Sequence, residues 1–208
     1  MPAGTGTEGR RRRLDAAARR RTIIDAAIPE FTAAGYEQTR VADIAARVGV
    51  TEPVVFQNFG TKAGLFAAVL DRVSEEAAQY LTLLGEQAHD VVELLSIVLA
   101  PELHDHFHSP GGIGMLFMDA AGSTDAGIRE AGIRANERVT RAMADVLRRG
   151  QIDGSVRADV DAEALAWLVL SQVHARQFRR THGGRTAPAL ERGMLEALLT
   201  ALRQPQSP

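Results

Sequence analysis

Apolar residues recur at helical spacing along most of this chain, and no segment alternates apolar with polar residues long enough to make a strand. Ile24, Ala27, Ile28 and Phe31 form the stripe of an amphipathic helix over roughly 15–34, which stops at Gly35. Two short segments follow. In the first, Ile44, Ala45 and Val48 share one face, and Gly49 supplies the left-handed residue on which a helix ends. In the second, Thr51 can cap, and Pro53 falls in the first turn, where a missing N–H costs nothing. Val55, Phe56 and Phe59 are expected to pack that helix inward. A longer helix starts at the Thr61 cap and carries Leu65, Phe66, Val69, Leu70 and Val73. Pro29 interrupts the first helix, where it loses a hydrogen bond and crowds the carbonyl of Asp25, so a kink or a later start is expected.

Further helices are expected near 88–99, 102–108, 113–121, 125–149, 161–181 and 187–202. They are separated by Pro101, Ser109-Pro110-Gly111-Gly112, Gly122-Ser123-Thr124, the stretch Gly150 to Gly154, and Gly183-Gly184. The pattern predicts an all-α chain in four parts: a disordered basic arm (1–14), a three-helix domain (15–72), a second helical domain (73–203) and a tail (204–208). Within the 161–181 helix, the stretch Ala164 to Phe178 is apolar almost all round, with Leu165, Trp167, Leu168, Val169, Leu170 and Val173. Such a helix is buried on more than one side, and in so small a domain the second side is most simply another subunit. The helix over 125–149 has a matching stripe of Ile128, Ala135, Val139, Ala142 and Val146.

Composition narrows the class. With 208 residues and 45% hydrophobic content the chain can build a sizeable core. It has no cysteine, which excludes disulfides and thiolate metal sites. The arginines near the N-terminus are not followed by an apolar stretch, and the run Ala164 to Leu170 is too short to span a bilayer, so a cytoplasmic protein without membrane contact is expected. Charge is polarised. The net is −2 overall, yet residues 1–24 carry seven arginines against Glu8 and Asp15. A basic end on a mildly acidic body suits a protein that touches phosphates at one end. Arg10, Arg11, Arg12 and Arg13 are then an arm that is loose in the free protein and orders on DNA.

Two short helices joined by a tight turn are the layout of a helix-turn-helix. The order Phe31 to Tyr36, Thr39 to Ala45, Gly49-Val50-Thr51 and Phe59-Gly60-Thr61-Lys62 with Leu65 resembles the TetR family of bacterial transcriptional regulators. The resemblance implies a DNA-binding regulator and not an enzyme, with no cofactor, in which residues 15–72 are the helix-turn-helix DNA-binding domain and 73–203 the effector-binding and dimerisation domain. It is expected to act as a repressor that holds a palindromic operator in double-stranded DNA as a homodimer and is released by a small-molecule effector, an apolar one being favoured. Candidate DNA contacts, besides the arginine arm, are Thr39, Arg40, Thr51, Glu52, Pro53, Val54, Gln57, Asn58 and Lys62. Lys62, the only lysine of the chain, stands at the start of the long helix, where it can reach a phosphate together with helix N-terminal amides. Glu52 can accept from cytosine N4, Gln57 can pair with adenine, and Val54 can meet a thymine methyl. Phe56, where the family has tyrosine, lacks the hydroxyl for a phosphate and is expected to pack. With no cation between Glu52 and Thr61, affinity leans on Arg40, Arg47, Lys62 and the arm.

The resemblance also implies that the 125–149 and 161–181 helices pair with their symmetry mates as a four-helix bundle, through Val139, Val146, Leu165, Leu168, Val169 and Gln172. It places an effector pocket in the middle of the chain, with Leu95, Leu99, His104, Phe107, Met115, Phe117, Met118 and His174 as candidate lining; methionine and phenylalanine make adaptable apolar walls. The helix from Thr61 begins in the head and ends in the effector domain, so it is expected to carry the signal, with Gly64 and Gly85 as soft points.

His104, His106 and His108 support one alternative, an all-helical metal-dependent enzyme. On a helix His104 and His108 share a face at the spacing seen in zinc sites. A third ligand is still needed, from Asp119, Glu102 or His174, and the HExxH pattern is absent. Neither metal binding nor a catalytic role is assigned to this cluster.

Overall fold

The computed structural model describes residues 5–100, 112–182 and 187–203, and for 5–15, 174, 176–182 and 187–188 the backbone alone. Nine helices are described: α1 (Thr5–Gln38), α2 (Val41–Val48), α3 (Glu52–Phe59), α4 (Lys62–Gln87), α5 (Val91–Val98), α6 (Gly114–Gly122), α7 (Ala126–Asp153), α8 (Ala162–His182) and α9 (Ala187–Leu202). The chain is all helical; among the described residues an isolated bridge between Val156 and Arg203 is the one extended pairing. No described helix is long and apolar enough to cross a membrane.

Helix α1 starts at Thr5, so Arg10 to Arg13 lie within it rather than on an arm ahead of it. Arginine, leucine and alanine are all good helix formers, and a helix nucleated over the apolar stripe propagates back through them. Pro29 neither delays nor breaks α1. Its ring sits on the exposed face. The break comes at Gly35 (φ 76°, ψ 166°), a conformation that a side chain would strain.

Two apolar clusters make up the interior. The first joins Ile23, Ala27 and Phe31 of α1, Ile44 of α2, Val55 of α3 and Leu65, Phe66 and Val69 of α4 to Leu116 of α6 and Ile128 of α7. The head therefore has no closed core of its own; its apolar cluster runs across residue 72 into the body. The second cluster joins α5, the C-terminal half of α7, α8 and α9, with Leu95, Leu147, Val169 and Leu202 fully or nearly fully buried. Residues 136–142 of α7 belong to neither.

Helices α4 and α7 ascend side by side in the same sense. Arg138 meets Asp71 and Ser74, Val146 meets Gly85, and Arg149 lies 3.6 Å from Glu86. Gly85 and Gly64 are close-approach sites, not soft points. A Cβ at Gly85 would stand 2.8 Å from Val146 Cγ2, and one at Gly64 would stand 2.2 Å from the Phe59 carbonyl oxygen. The loop after α7 is tied by the Gln151 amide, which donates to the carbonyls of Arg157 (2.9 Å) and Val160 (2.8 Å).

These contacts set the sign of a substitution. Gly193→Ala in α9, where nothing lies within 4 Å of the new Cβ, should stabilise by up to ~1 kcal/mol through helix propensity. Gly64→Ala gains the same propensity but drives a methyl into backbone, so a net loss of about 1–3 kcal/mol is expected. Urea denaturation of the two variants checks the opposite signs.

Candidate nucleic-acid interface

The geometry of the α2–α3 pair follows from its sequence at the turn and from its neighbours elsewhere. Gly49 closes α2 in the left-handed conformation (φ 75°, ψ 31°), with its N–H directed to the carbonyls of Ala45 and Ala46. Thr51 occupies the N-cap of α3 but makes no side-chain cap bond. Thr61 does cap α4, its hydroxyl oxygen accepting from the Gly64 N–H at 3.0 Å. Helix α3 has eight residues and one fully anchored side chain, Val55. So short a helix has no stability of its own and takes its orientation from what it packs on.

The outward face of α3 presents Glu52, Pro53, Phe56 and Gln57, all exposed, next to Thr51 at the cap. Phe56 corrects the expectation that it packs inward: at 40% exposure its ring is part of the outer surface. It follows Val55 by one residue, which on a helix turns it away from the core. Val54 is half-buried. Asn58 is also half-buried, and its amide donates back to the Val54 carbonyl at 2.7 Å, so this side chain is engaged within the helix.

Three other candidates are engaged in holding the head. Thr39 is 5% exposed, and its hydroxyl donates to the Gly35 carbonyl at 2.7 Å, with the Glu30 carbonyl at 3.1 Å. It fastens the start of α2 to the end of α1. Arg47 is paired with Glu30, its Nε donating at 2.7 Å. Lys62 donates to the Glu37 carbonyl at 3.1 Å and lies 4.6 Å from the centre of the Tyr36 ring. Arg40 is exposed at the N-cap of α2. Arg10 to Arg13 follow α1, and their side chains lie outside the described residues.

One cation that the sequence did not single out completes the head. The guanidinium of Arg20, on α1, lies over the Phe59 ring, its carbon 4.2 Å from the ring centre, and donates to the Asn58 carbonyl at the end of α3. Nothing in its local sequence separates Arg20 from Arg19 and Arg21; the fold alone selects it.

The family model for bacterial regulatory proteins of the tetR family matches residues 23–69. The transcriptional regulator TtgR of Pseudomonas putida is 27% identical over 184 residues, covering 77% of this chain and 85% of that protein. A TetR-family transcriptional regulator from Cytophaga hutchinsonii has the same fold, with a TM-score of 0.72 at 17% identity over 92% of this chain and 98% of that one. Residues 23–69 are a DNA-binding domain of the TetR family. A further solved structure of this fold is FadR from Bacillus subtilis in complex with stearoyl-CoA, with a TM-score of 0.68 at 15% identity over 88% of this chain and 98% of that one. The protein is a transcriptional regulator, and its α2 and α3 are the helix-turn-helix of the DNA-binding head.

Besides the contact of Arg138 with Asp71, a second polar contact ties the body to the head. The Asp119 carboxylate, on α6, accepts the backbone N–H of Tyr36 at 2.6 Å, where α1 breaks. That N–H has lost its helical partner at Gly35, and a carboxylate is a strong acceptor for it. Asp119 was a possible metal ligand on sequence grounds; here it serves the backbone. The Tyr36 ring packs 4.9 Å from Phe66, and burial, then the Asp125 and Glu37 carboxylates, push its hydroxyl above the usual tyrosine pKa. Glu102, His104, His106, Phe107 and His108 lie outside the described residues, as does the side chain of His174. Among the described residues no three His, Asp or Glu side chains are grouped to hold a metal.

The body candidates divide. Leu95 is buried in the second cluster and Leu99 packs against it, whereas Phe117 packs against the first. Met115 is half-buried, and Met118 is 49% exposed on the outer side of α6. Val146, Leu165 and Val169, expected at a dimer interface, are at most 4% exposed within the single chain and belong to its own second cluster. Helical spacing could not separate the inner from the outer apolar face of α8. Val139 and Gln172 are half-buried, and Leu168 is 40% exposed.

Asp119→Ala leaves the Tyr36 N–H without its acceptor, at an expected cost of about 1–3 kcal/mol. Asp119→Asn retains a carbonyl oxygen and should recover part of it. Amide hydrogen exchange at Tyr36 reads the contact directly, and faster exchange in Asp119→Ala than in Asp119→Asn is the expected order.

Proposed function

We propose that this regulator is a homodimeric repressor that reads a palindromic operator through the outward face of α3 and releases it when a small molecule occupies the body. The observation that carries the reading is the exposure of Glu52, Pro53, Phe56 and Gln57 together on a helix anchored from behind by Val55. Gln57 suits adenine N6 and N7, Glu52 suits cytosine N4, and the Phe56 ring suits a thymine methyl. Thr51 and Arg40, with Lys62 and Arg10 to Arg13, supply phosphate contacts. Lys62 needs only to leave the exposed Glu37 carbonyl to do so.

Dimerisation is proposed through an exposed stripe on α8, where Ala164, Trp167, Leu168, Ser171 and Ala175 recur at helical spacing. Trp167, 49% exposed, and Leu168 are the large apolar members. Gln172 and Val139 border this surface in the proposal; Leu165, Val169 and Val146 support it from inside.

The effector is proposed to bind in the body where the two apolar clusters part, around Val139 and Thr140, with Leu95, Leu99 and Phe117 at the cluster edges. The hydroxyl of Thr140 is buried without a hydrogen-bond partner. An apolar body is favoured for the effector, in line with the stearoyl-CoA bound to FadR. Occupancy would act on the head through α6, whose Asp119 holds the end of α1. The linkage is reciprocal, so operator DNA should weaken effector binding by the same factor, on the order of 1–3 kcal/mol.

Selection of duplexes from a randomised library tests the DNA reading. A palindromic product with half-sites about 34–36 Å apart, or a multiple of that, is expected. Gln57→Ala should then relax discrimination at one position per half-site by about 1–3 kcal/mol. Lys62→Ala should weaken selected and random duplexes alike and flatten the salt dependence. Equal losses on both duplexes for Gln57→Ala would mean that another face reads the bases.

Light scattering tests the dimer. Leu168→Arg should yield folded monomers, because it places a charge in the proposed interface and nowhere else. Val169→Arg should instead unfold the chain, since that side chain is fully buried in the monomer.

A further inference from the structure

We propose that Arg20 is a positioning residue that sets the angle of α3 and thereby the sequence discrimination of the head, without itself contacting DNA. The inference rests on the proposed reading of α3 as the helix that meets base edges. It starts from a deficit. Helix α3 is eight residues long and anchors through Val55, with Phe59 half-buried. Its last carbonyls have no partner inside the helix. The Gly60 N–H takes the Phe56 carbonyl at 2.7 Å and the Thr61 N–H takes that of Phe59 at 2.9 Å, whereas the Asn58 carbonyl is met from outside, by Arg20.

Arg20 makes two contacts that fix direction as well as distance. One guanidinium N–H donates to Asn58 at the negative end of the α3 dipole, where a cation is favoured. The central carbon of the same guanidinium lies 4.2 Å from the centre of the Phe59 ring, on the next residue of α3. Arg20 itself stands on α1, the long helix whose Ile23, Ala27 and Phe31 are buried in the first cluster. The pair of contacts thus refers the end of a weakly anchored helix to a firmly anchored one. A lysine could keep the charge but, as a compact ammonium, is poorly suited to make the ring contact and the directed bond together.

A guanidinium held this way is directed at protein. It differs in expected behaviour from a phosphate ligand, which adds affinity to every duplex and one unit to the salt dependence. Base discrimination depends on the angle of α3, whereas phosphate attraction tolerates small rotations of it.

The test uses the full chain, a duplex selected with the wild-type protein and a random duplex of equal length, read by fluorescence anisotropy. Arg20→Lys is expected to lose about ten-fold on the selected duplex and less than two-fold on the random one, with the melting temperature unchanged. Arg20→Gln should give the same loss on the selected duplex without altering the salt slope on the random one. Phe59→Leu, which keeps an apolar side chain but no ring, should match Arg20→Lys, and the double variant should be no worse than either alone. Phe59→Tyr should restore wild-type discrimination. Equal losses on both duplexes with a salt slope reduced by about one would make Arg20 a phosphate ligand and overturn the assignment. Wild-type discrimination in Arg20→Lys, or a loss that follows a fall in melting temperature, would overturn it as well. Failure of the wild-type protein to enrich any duplex would instead overturn the DNA reading of α3, and this assignment with it.

Discussion

Burial of the Phe66 side chain between α1 and α4 is the contact around which the head is built. Its ring packs edge-on to Phe31 with centroids 5.0 Å apart and tilted against Tyr36 at 4.9 Å, and it has no solvent exposure. A fully buried phenylalanine contributes about 1.5–3 kcal/mol from desolvation alone, and paired aromatic rings add to it. Around this point α1 and α4 become one rigid piece. Helices α2 and α3, eight residues each, have no stability of their own and are carried on it. The same cluster reaches Leu116 on α6 and Ile128 on α7, so the two ends of the molecule share a core.

That sharing gives the body mechanical access to the head. An apolar cluster transmits volume, and at its edge the Asp119 carboxylate on the Tyr36 N–H transmits direction. The bond sits where α1 leaves helical geometry at Gly35, the place where a small movement of α6 meets the least resistance from α1 itself. On the other side of the body the second cluster is fastened by α9 and the loop after α7, with Arg157 N–H on the Leu202 carbonyl at 2.9 Å. Between the clusters lies a polar level of the α4–α7 pair, with Asp71, Ser74 and Arg138 bonded to one another. Two well-packed blocks joined at such a level can shift relative to each other at lower cost than one continuous core.

The head economises on charge near its outward face. Arg47 is committed to Glu30 and Arg20 to the end of α3, so their charges first serve the protein's own geometry. With Glu52 exposed on the outer face of α3, the proposed reading leaves general attraction to phosphate weak there, so that shape and base contacts would carry more of the recognition. The same proposal assigns the phosphate attraction to Arg10 to Arg13 and the exposed Arg40.

The sequence by itself determined which of the described segments are helices and where the backbone turns at Gly35 and Gly49, although α1 begins earlier and α7 runs on past Gly150. Glycine and proline act through their own backbone, and the left-handed turn at Gly49 or the break at Gly35 needs no distant partner to be foreseen. It also determined the helix-turn-helix, because the spacing of Ile44, Gly49, Val55 and Thr61 is a local pattern. Tertiary structure decided what each side chain faces. Phe56, Val169 and Trp167 are all large apolar residues on helices with little polar surface, and periodicity alone could not say that Val169 turns inward while the other two turn out. Nor could it choose Arg20 from three adjacent arginines, or give Asp119 the Tyr36 N–H, since those partners lie 38 and 83 residues away along the chain. Backbone conformation is set within a few residues, whereas burial and hydrogen-bond partners are set by which surfaces the fold brings together.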